Sequence, residues 1–448
     1  MPAARQGVAV AAVLSAMALV VLDAGMVNVA LPAIARDFGV SPGHSILVVT
    51  AYQAALVMAL LPSAAIGGRY GERRVFVAGV AVFTAASLLC AASPGLPWLV
   101  AARFVQGLGG AAVMALGISL IRHTVAAPRL GAAIGWNAMT VALAAAAGPA
   151  IGAVILAIAG WPWLFAINLP LGAAALLVAR GLPRSDAGHA GLDPISIALN
   201  AAAFGLLVTG AELVAEQPLV AVGVAMSGLA AFAGLVRRES PKAAPMAPLD
   251  LLRLRPFRLS VIASVLCFSG QTLALVALPF HLQALFASDL AAIGLYLTAW
   301  PLSVAAMALV AGRLSDRIPN HWLCAAGGIG LAVGLGLISV WPAQANHGLV
   351  LAFTSLCGLG FGMFQTPNNR TMFLSAPSER SAAAGGLQGT ARLTGQTTGA
   401  VMVTLLFGWL GAAAAPRAAL AMGALLALAA AGVSLLQARP LPLAMHRT

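Results

Sequence analysis

Charge is what this chain has least of. Its 448 residues include 24 Lys and Arg and 12 Asp and Glu, 8% of the sequence, and lysine occurs once, at Lys242. A soluble domain carries about a quarter charged residues, so too few are present to solvate a globular surface. With 61% hydrophobic residues and a mean hydropathy of +0.97, the composition is that of a polytopic membrane protein whose surface mostly faces lipid. Metal and disulfide patterns are missing too. Cys90, Cys267, Cys324 and Cys357 all fall in apolar segments without ligand or bridge spacing and read as small packing residues, and the seven histidines are scattered. No G-x-x-x-x-G-K-[ST] occurs, which argues against ATP-driven transport within this chain. No H-E-x-x-H or paired intramembrane carboxylates occur, which argues against a membrane-embedded enzyme.

What is present is a succession of apolar runs. A spanning helix needs about 20 such residues, and fourteen candidates lie at about 8–32, 46–66, 75–93, 97–121, 130–158, 162–180, 194–214, 218–236, 259–287, 291–312, 322–341, 348–369, 381–411 and 417–437. The first run, with Arg5 before it and Ala33-Ile34-Ala35 after it, loosely mimics a signal peptide. Asp23 and Asn28 interrupt that pattern, so it is expected to be a retained first span. The net charge of +12 sits in short loops, without the aromatic interleaving of a nucleic-acid surface. With the N-terminus cytoplasmic, that side holds twenty basic residues and the opposite side only Arg36 and Arg417, with Arg103 and Arg392 inside spans. This positive-inside split predicts an even number of spans and both termini in the cytoplasm. The longest loop, 237–258, is basic and Pro-rich, the composition of a linker against an anionic leaflet.

An internal repeat organises the spans. GGRYGERR (67–74) follows span two and GRLSDR (312–317) follows span ten; matching Arg69 to Arg317 gives an offset of 248. Gly148 and Gly152 of span five match Gly395 and Gly399 of span thirteen at an offset of 247. Residues 1–184 and 259–448 are therefore expected to be related six-helix halves, with two inserted helices at 185–236 and the linker 237–258 between them. Duplicated halves also argue against a passive channel, which would need rings of like charge or an oligomeric filter.

The stretch LVVLDAGMVNVALP (19–32) places Asp23 inside a spanning helix, where a charge costs about 2.5–3.5 kcal/mol on insertion scales. At about 1.5 Å per residue, Asp23 lies roughly 14 Å below Pro32, and Arg103 enters span four from the same side to roughly 8–10 Å, so the two can meet. A helix shift that makes or breaks the pair would swing the proton affinity of the carboxylate, which is what coupling requires. The alternatives are an Arg103 that snorkels to the interface and an Asp23 that only caps or bonds Asn28. The second half offers no buried carboxylate, since Asp289, Asp316 and Glu379 fall in loops. One acid predicts one proton per cycle and favours monovalent or neutral lipophilic cargo, with Glu212 the main challenge to that inference.

Four segments carry a family resemblance: LDAGMVNVALP (22–32), RFVQGLGGA (103–111), WPWLFAINLPLG (161–172), and GMFQTPNNRTM (362–372) followed by AGGLQGTARLTGQTTG (384–399). With these the chain resembles the fourteen-helix drug:proton antiporters of the major facilitator superfamily, nearly end to end. The resemblance implies an all-α major facilitator fold of two six-helix halves plus two inserted helices, and a proton-coupled exporter of lipophilic cationic or neutral compounds. The alternative is a dedicated exporter of one endogenous metabolite or antibiotic. It implies proton coupling at Asp23 and Arg103, and an antiporter-motif helix carrying Gly135, Gly148, Pro149 and Gly152 with Ala144 in place of a glycine. That helix is expected to pack across the interface between the halves. It further implies cytoplasmic gate loops at Arg69, Gly71, Gly312, Asp316 and Arg317. Gly68 stands where the first copy should carry an acid, and Glu72 is a substitute that can pair with Arg69 or Arg73. Spans 1, 4, 9 and 12 would line the cavity, offering Asn28, Met114, Gln271, Phe280, His281, Phe361, Met363, Phe364 and Gln365. Arg392 and Gln396 of span thirteen match the family's R-x-x-G-Q, with Arg392 open as gate, cargo contact or glue to a carbonyl. No cofactor beyond the proton gradient, no metal and no nucleic-acid partner are expected. The partners would be a lipophilic small molecule, protons and the bilayer around a monomer. High Ala, Gly and Arg content points to a bacterial inner membrane.

Overall fold

The computed structural model describes residues 3–125, 127–179, 181–182, 193–214, 217–242, 249–286, 290–341, 347–376 and 381–438. The described residues are almost entirely helical: α1 (Ala3–Asp37), α2 (Pro42–Tyr70), α3 (Glu72–Ala91), α4 (Leu96–Thr124), α5 (Ala127–Ile158), α6 (Pro162–Ala166), α7 (Asn168–Ala179), α8 (Pro194–Leu213), α9 (Pro218–Glu239), α10 (Arg255–Phe286), α11 (Leu290–Leu314), α12 (Asn320–Val340), α13 (His347–Ser375) and α14 (Ser381–Leu435). In hydrocarbon every backbone N–H and C=O must be satisfied within the chain, and uninterrupted helices do so residue by residue.

Among the described residues, thirteen stretches are long and apolar enough to cross a bilayer. α6 and α7 make one crossing together, with a turn at Ile167. The last stretch, Ala384–Leu435, runs 52 residues, about 78 Å of helix against a hydrocarbon core of about 30 Å. It is two crossings joined at Gly411, whose φ of 70° is a left-handed value that breaks the helix. The count is therefore fourteen, as the sequence predicts. Several bounds differ. α1 extends beyond 8–32 at both ends, and α9 and α10 shorten the 237–258 linker to a segment containing a 3-10 turn, Leu249–Arg253. The expected boundary at 184/185 lies outside the described residues.

The glycines record the duplication in three dimensions. In α5, a Cβ on Gly148 would meet the Leu22 carbonyl at 3.0 Å, and one on Gly152 would meet Met26 Cα at 3.0 Å. In α14, a Cβ on Gly395 would meet the Val265 carbonyl at 2.7 Å, and one on Gly399 the Ser269 carbonyl at 2.4 Å. Likewise Gly107 of α4 faces the Tyr52 carbonyl, and Gly358 of α13 faces the Trp300 carbonyl. The same crossings recur in both six-helix halves because the same small residue lets two backbones touch, the means by which apolar helices associate where there is no hydrophobic drive between them.

Between the halves, α5 packs on α11 and α2 packs on α14. The motif helix thus has two faces. Its glycines meet α1 of their own half, while Ala153 and Pro149 on the other face meet Gly294 of α11 across the interface between the halves. The apolar cluster that joins the halves draws its first-half members from Met26–Ile34, Ile46–Val49, Cys90–Ala102 and Ala153–Phe165, near the bundle end marked by Ser41. Toward the opposite end, marked by Gly71, one cluster belongs to the first half apart from Leu393, and another to the second half alone. The inserted α8 and α9 form a hairpin packed on α2 and α14. Asp193 caps α8 and binds Arg238 at 2.7 Å and Lys242 at 2.6 Å. Those cations, with Arg238 foremost, hold its carboxyl well below the usual carboxylate range.

Gly107→Ala would press a Cβ to 2.5 Å from the fixed Tyr52 carbonyl. It is expected to cost about 1–3 kcal/mol and lower the thermal midpoint of the detergent-purified protein. Gly336→Ala, with nothing within 4 Å, should leave the midpoint unchanged or raise it.

Candidate functional site

The first half encloses one polar network, assembled from five helices. Asp23 lies fourteen residues before the end of α1, roughly 21 Å along the helix from its Ser41-side terminus. Arg103 and Gln106 share a face of α4 at a spacing of three. Tyr52 projects from α2 and Ser87 from α3. Asn168 opens α7, where the break at Ile167 and the turn at Gly160 (φ 83°) redirect the chain. Asp23, Arg103, Gln106, Ser87 and Asn168 are all at most 1% exposed.

The carboxylate of Asp23 accepts from three side chains. Arg103 donates its Nη1 to Oδ2 at 2.6 Å, while Oδ1 receives Asn168 Nδ2 at 2.7 Å and Gln106 Nε2 at 3.2 Å. Arg103 also donates to Gln106 Oε1 at 2.5 Å and to the Val48 carbonyl at 3.3 Å. Gln106 and Asn168 both reach Ser87 Oγ, at 2.8 and 3.3 Å, and Cys90 Sγ donates to Gln106 Oε1 at 3.8 Å. The guanidinium stacks over the Tyr52 ring at 4.0 Å, with the Phe165 ring 5.6 Å away. Hydrogen bonds to a charged group contribute about 1.5–3 kcal/mol each, so this shell offsets the penalty of burying the acid. The expectation that Asp23 and Arg103 meet is met. Asn28 is not among the donors to Asp23, which are Arg103, Gln106 and Asn168, and its own Oδ1 is buried without a bond.

Gln106 and Asn168 went unassigned in the sequence although both lie in the family segments; a lone amide in an apolar span was the available signal. The duplication shows why this network has no counterpart. The helix crossings map Asp23, Tyr52, Ser87, Arg103 and Gln106 onto Leu266, Trp300, Leu335, Thr354 and Cys357, a pocket lined largely by apolar side chains and buried apart from the half-buried Leu266.

The remaining expectations fare unevenly. Phe280 packs at a tilt against Phe407 with ring centroids 5.1 Å apart, Phe361 meets Phe268 edge to face at 5.2 Å, and Phe364 is fully buried, so these three are packing residues in this conformation rather than cavity lining. His281 is buried as well. Asn28, Met114, Gln271, Met363, Gln365, Arg392 and Gln396 are half-buried. At the gate loops, Gly71 adopts φ 98° between α2 and α3, a conformation glycine alone takes without strain. Glu72 pairs with neither Arg69 nor Arg73. It accepts from Ser119 Oγ at 2.6 Å and meets His123 Nδ1 at 3.0 Å, tying α3 to the end of α4. In the second copy Asp316 pairs with Arg370 of α13 at 2.7 Å, not with Arg317 of its own loop. Gly312 has open space around it. Gly135 is helical, and its surroundings lie outside the described features.

Fourteen spans in two duplicated halves, with a buried ion network in one of them, define a membrane transporter and not an enzyme. The sequence matches the profile of the Major Facilitator Superfamily over residues 13–392 and again over 260–445, and the chain belongs to that superfamily. It is 42% identical over 408 residues, 90% of this chain and 89% of the relative, to the uncharacterized transporter YebQ of Escherichia coli (strain K12). It is 30% identical over 410 residues, covering 89% of this chain and 75% of the relative, to the multidrug resistance protein Stp of Mycobacterium tuberculosis (strain CDC 1551 / Oshkosh). In fold it is similar to a POT family transporter solved with a thioalcohol-conjugated peptide, with a TM-score of 0.72, 17% identity, and 96% of this chain and 95% of that one covered.

Removing one member of a buried ion pair strands the other. Asp23→Leu and Arg103→Leu are each expected to cost about 3–5 kcal/mol. The double variant should cost clearly less than the sum, read from thermal unfolding in detergent. Additive losses would show that the two charges do not depend on each other.

Proposed function

We propose that the protein is a proton-coupled exporter of lipophilic small molecules, working by alternating access in a bacterial inner membrane. The observation that carries this reading is the Asp23–Arg103 pair, buried in the middle of a bilayer-crossing bundle and joined to three helices beyond its own two. An acid is retained at such a depth where its protonation has a consequence. A proton on Asp23 removes the charge that Arg103, Gln106 and Asn168 all engage, so α1 is released from α4 and α7 together. Return of the ion pair re-forms the same set of contacts. With one such acid, one proton moves per cycle.

Sidedness follows from the basic loops. The Gly71 end carries the arginine-rich turns and is assigned to the cytoplasm, with both termini on that side. The shared apolar cluster at the Ser41 end then joins the two halves at the outer face. The rocking axis is supplied by α5 on α11 and α2 on α14, contacts of small residues that permit sliding. The relative named for multidrug resistance supports export as the direction.

In everted membrane vesicles, an imposed pH gradient should drive accumulation of a lipophilic dye by the wild-type protein and not by Asp23→Asn, which keeps the shape and loses the titratable group. Undiminished pH-driven transport by Asp23→Asn would overturn the coupling role. Growth of an efflux-deficient bacterium on unrelated toxic compounds reports breadth, with protection against one compound alone indicating a dedicated exporter.

A further inference from the structure

Among the described residues, Arg392, well inside its span, has no counter-charge. Arg392 lies on the first half of α14, and its guanidinium makes no hydrogen bond or ion pair with any described residue; its Nε is shut off from solvent with no acceptor. The contrast with Arg103 is direct, since that guanidinium has a carboxylate, an amide oxygen, a backbone carbonyl and an aromatic face. Among the described acids, those nearest in the spans and gate loops are engaged elsewhere or distant. Asp23 holds Arg103, Asp316 holds Arg370, Glu72 faces Ser119 and His123, and Glu212 sits at the far, C-terminal end of α8.

The helix geometry says where Arg392 faces. At about 100° per residue, Gly395 and Gly399 direct one side of α14 onto α10, and Gly389 directs another onto Leu60 of α2. Arg392 lies between those two directions, at the seam of the two halves, and the next residue, Leu393, packs with the first-half cluster. Gln388 and Gln396 flank it one turn away on either side, Gln388 donating to Asn369 Oδ1 of α13 at 3.1 Å. This part of α14 thus presents a polar stripe, Gln388, Arg392 and Gln396, with an unneutralised guanidinium at its centre, at the seam of the two halves.

A half-buried guanidinium inside a span, with its Nε shut off and no protein acceptor, is costly and is retained where an acceptor arrives. We propose that Arg392 is the recognition point for an oxygen acceptor on the cargo, an anionic carboxylate or phenolate above all, borne by an otherwise lipophilic molecule. The planar fork of guanidinium donors matches such a group in two parallel hydrogen bonds, and the apolar surroundings strengthen them. With the Asp23–Arg103 pair internally neutral, the seam carries net positive charge. That disfavours the cationic cargo expected from the sequence and leaves neutral acceptor-bearing and acidic amphipaths. This inference rests on the reading of the protein as an exporter and names the charge class of what it exports.

The test is equilibrium binding by the full-length protein in detergent, followed by fluorescence polarisation with two dyes on the same xanthene core: fluorescein, which carries carboxylate and phenolate, and a cationic rhodamine ester. The wild type should bind fluorescein about tenfold or more tighter than the rhodamine. Arg392→Gln should erase that preference by weakening fluorescein alone, and Arg392→Lys should retain part of it. Tighter binding of the rhodamine, absence of saturable fluorescein binding, or an unchanged ratio in Arg392→Gln would overturn the proposal; the wild-type comparison stands even if a variant fails to fold. Binding needs no proton gradient. Loss of pH-driven transport with the dye preference intact would therefore sink only the exporter reading, and intact transport without the preference would sink only this one.

Discussion

A carboxylate and a guanidinium in contact at the middle of a hydrocarbon-crossing bundle are the constraint around which the first half is built. Neither charge is tolerable alone at that depth, and together they still need their remaining donors and acceptors met. The structure meets them with side chains from α3, α4 and α7 and a carbonyl from α2, so five helices must keep register for the network to persist. Tyr52 closes the guanidinium from above and keeps water out of the pair. Any change in the charge of Asp23 is felt at once by every helix of this set.

The glycine crossings make such a change transmissible. α5 rests its glycines on α1 at Leu22–Met26, on either side of Asp23, and its opposite face on α11 of the second half. A shift of α1 is thereby passed to the seam between the halves through backbone-to-backbone contacts that have little compliance. The second half repeats these crossings with its own glycines but fills the equivalent of the ion network mainly with apolar side chains. Duplication preserved the mechanical frame, and only one copy carries the titratable group.

The seam itself is chemically uneven. Toward the Ser41 end it is apolar and packed, and toward the other end it bears Arg392 between two glutamines. Charge in the spans is thus divided between two places with different bonding. At one, a cation is fully satisfied by the protein; at the other, a cation has no counter-charge among the described residues.

The sequence by itself determined the class and most of the frame. Apolar run lengths set the number of crossings, because bilayer thickness and helix rise allow little else, and the Gly148/Gly152 and Gly395/Gly399 spacing revealed the duplication, because close helix approach requires residues without side chains. Asp23 and Arg103 stood out for the same reason: a charge in such a run has no cheap explanation. Tertiary structure decided the rest, where the outcome depends on which side chains from distant spans share a level and a face. Gln106 and Asn168 became partners of Asp23, Glu72 turned to Ser119 and His123, and Asp316 turned to Arg370. Phe280, Phe361 and Phe364 were drawn into packing because aromatic rings at helical spacing serve a core as readily as a cavity. Arg392 acquired its significance only from what surrounds it, since an unpaired charge is defined by the absence of neighbours that a sequence cannot locate.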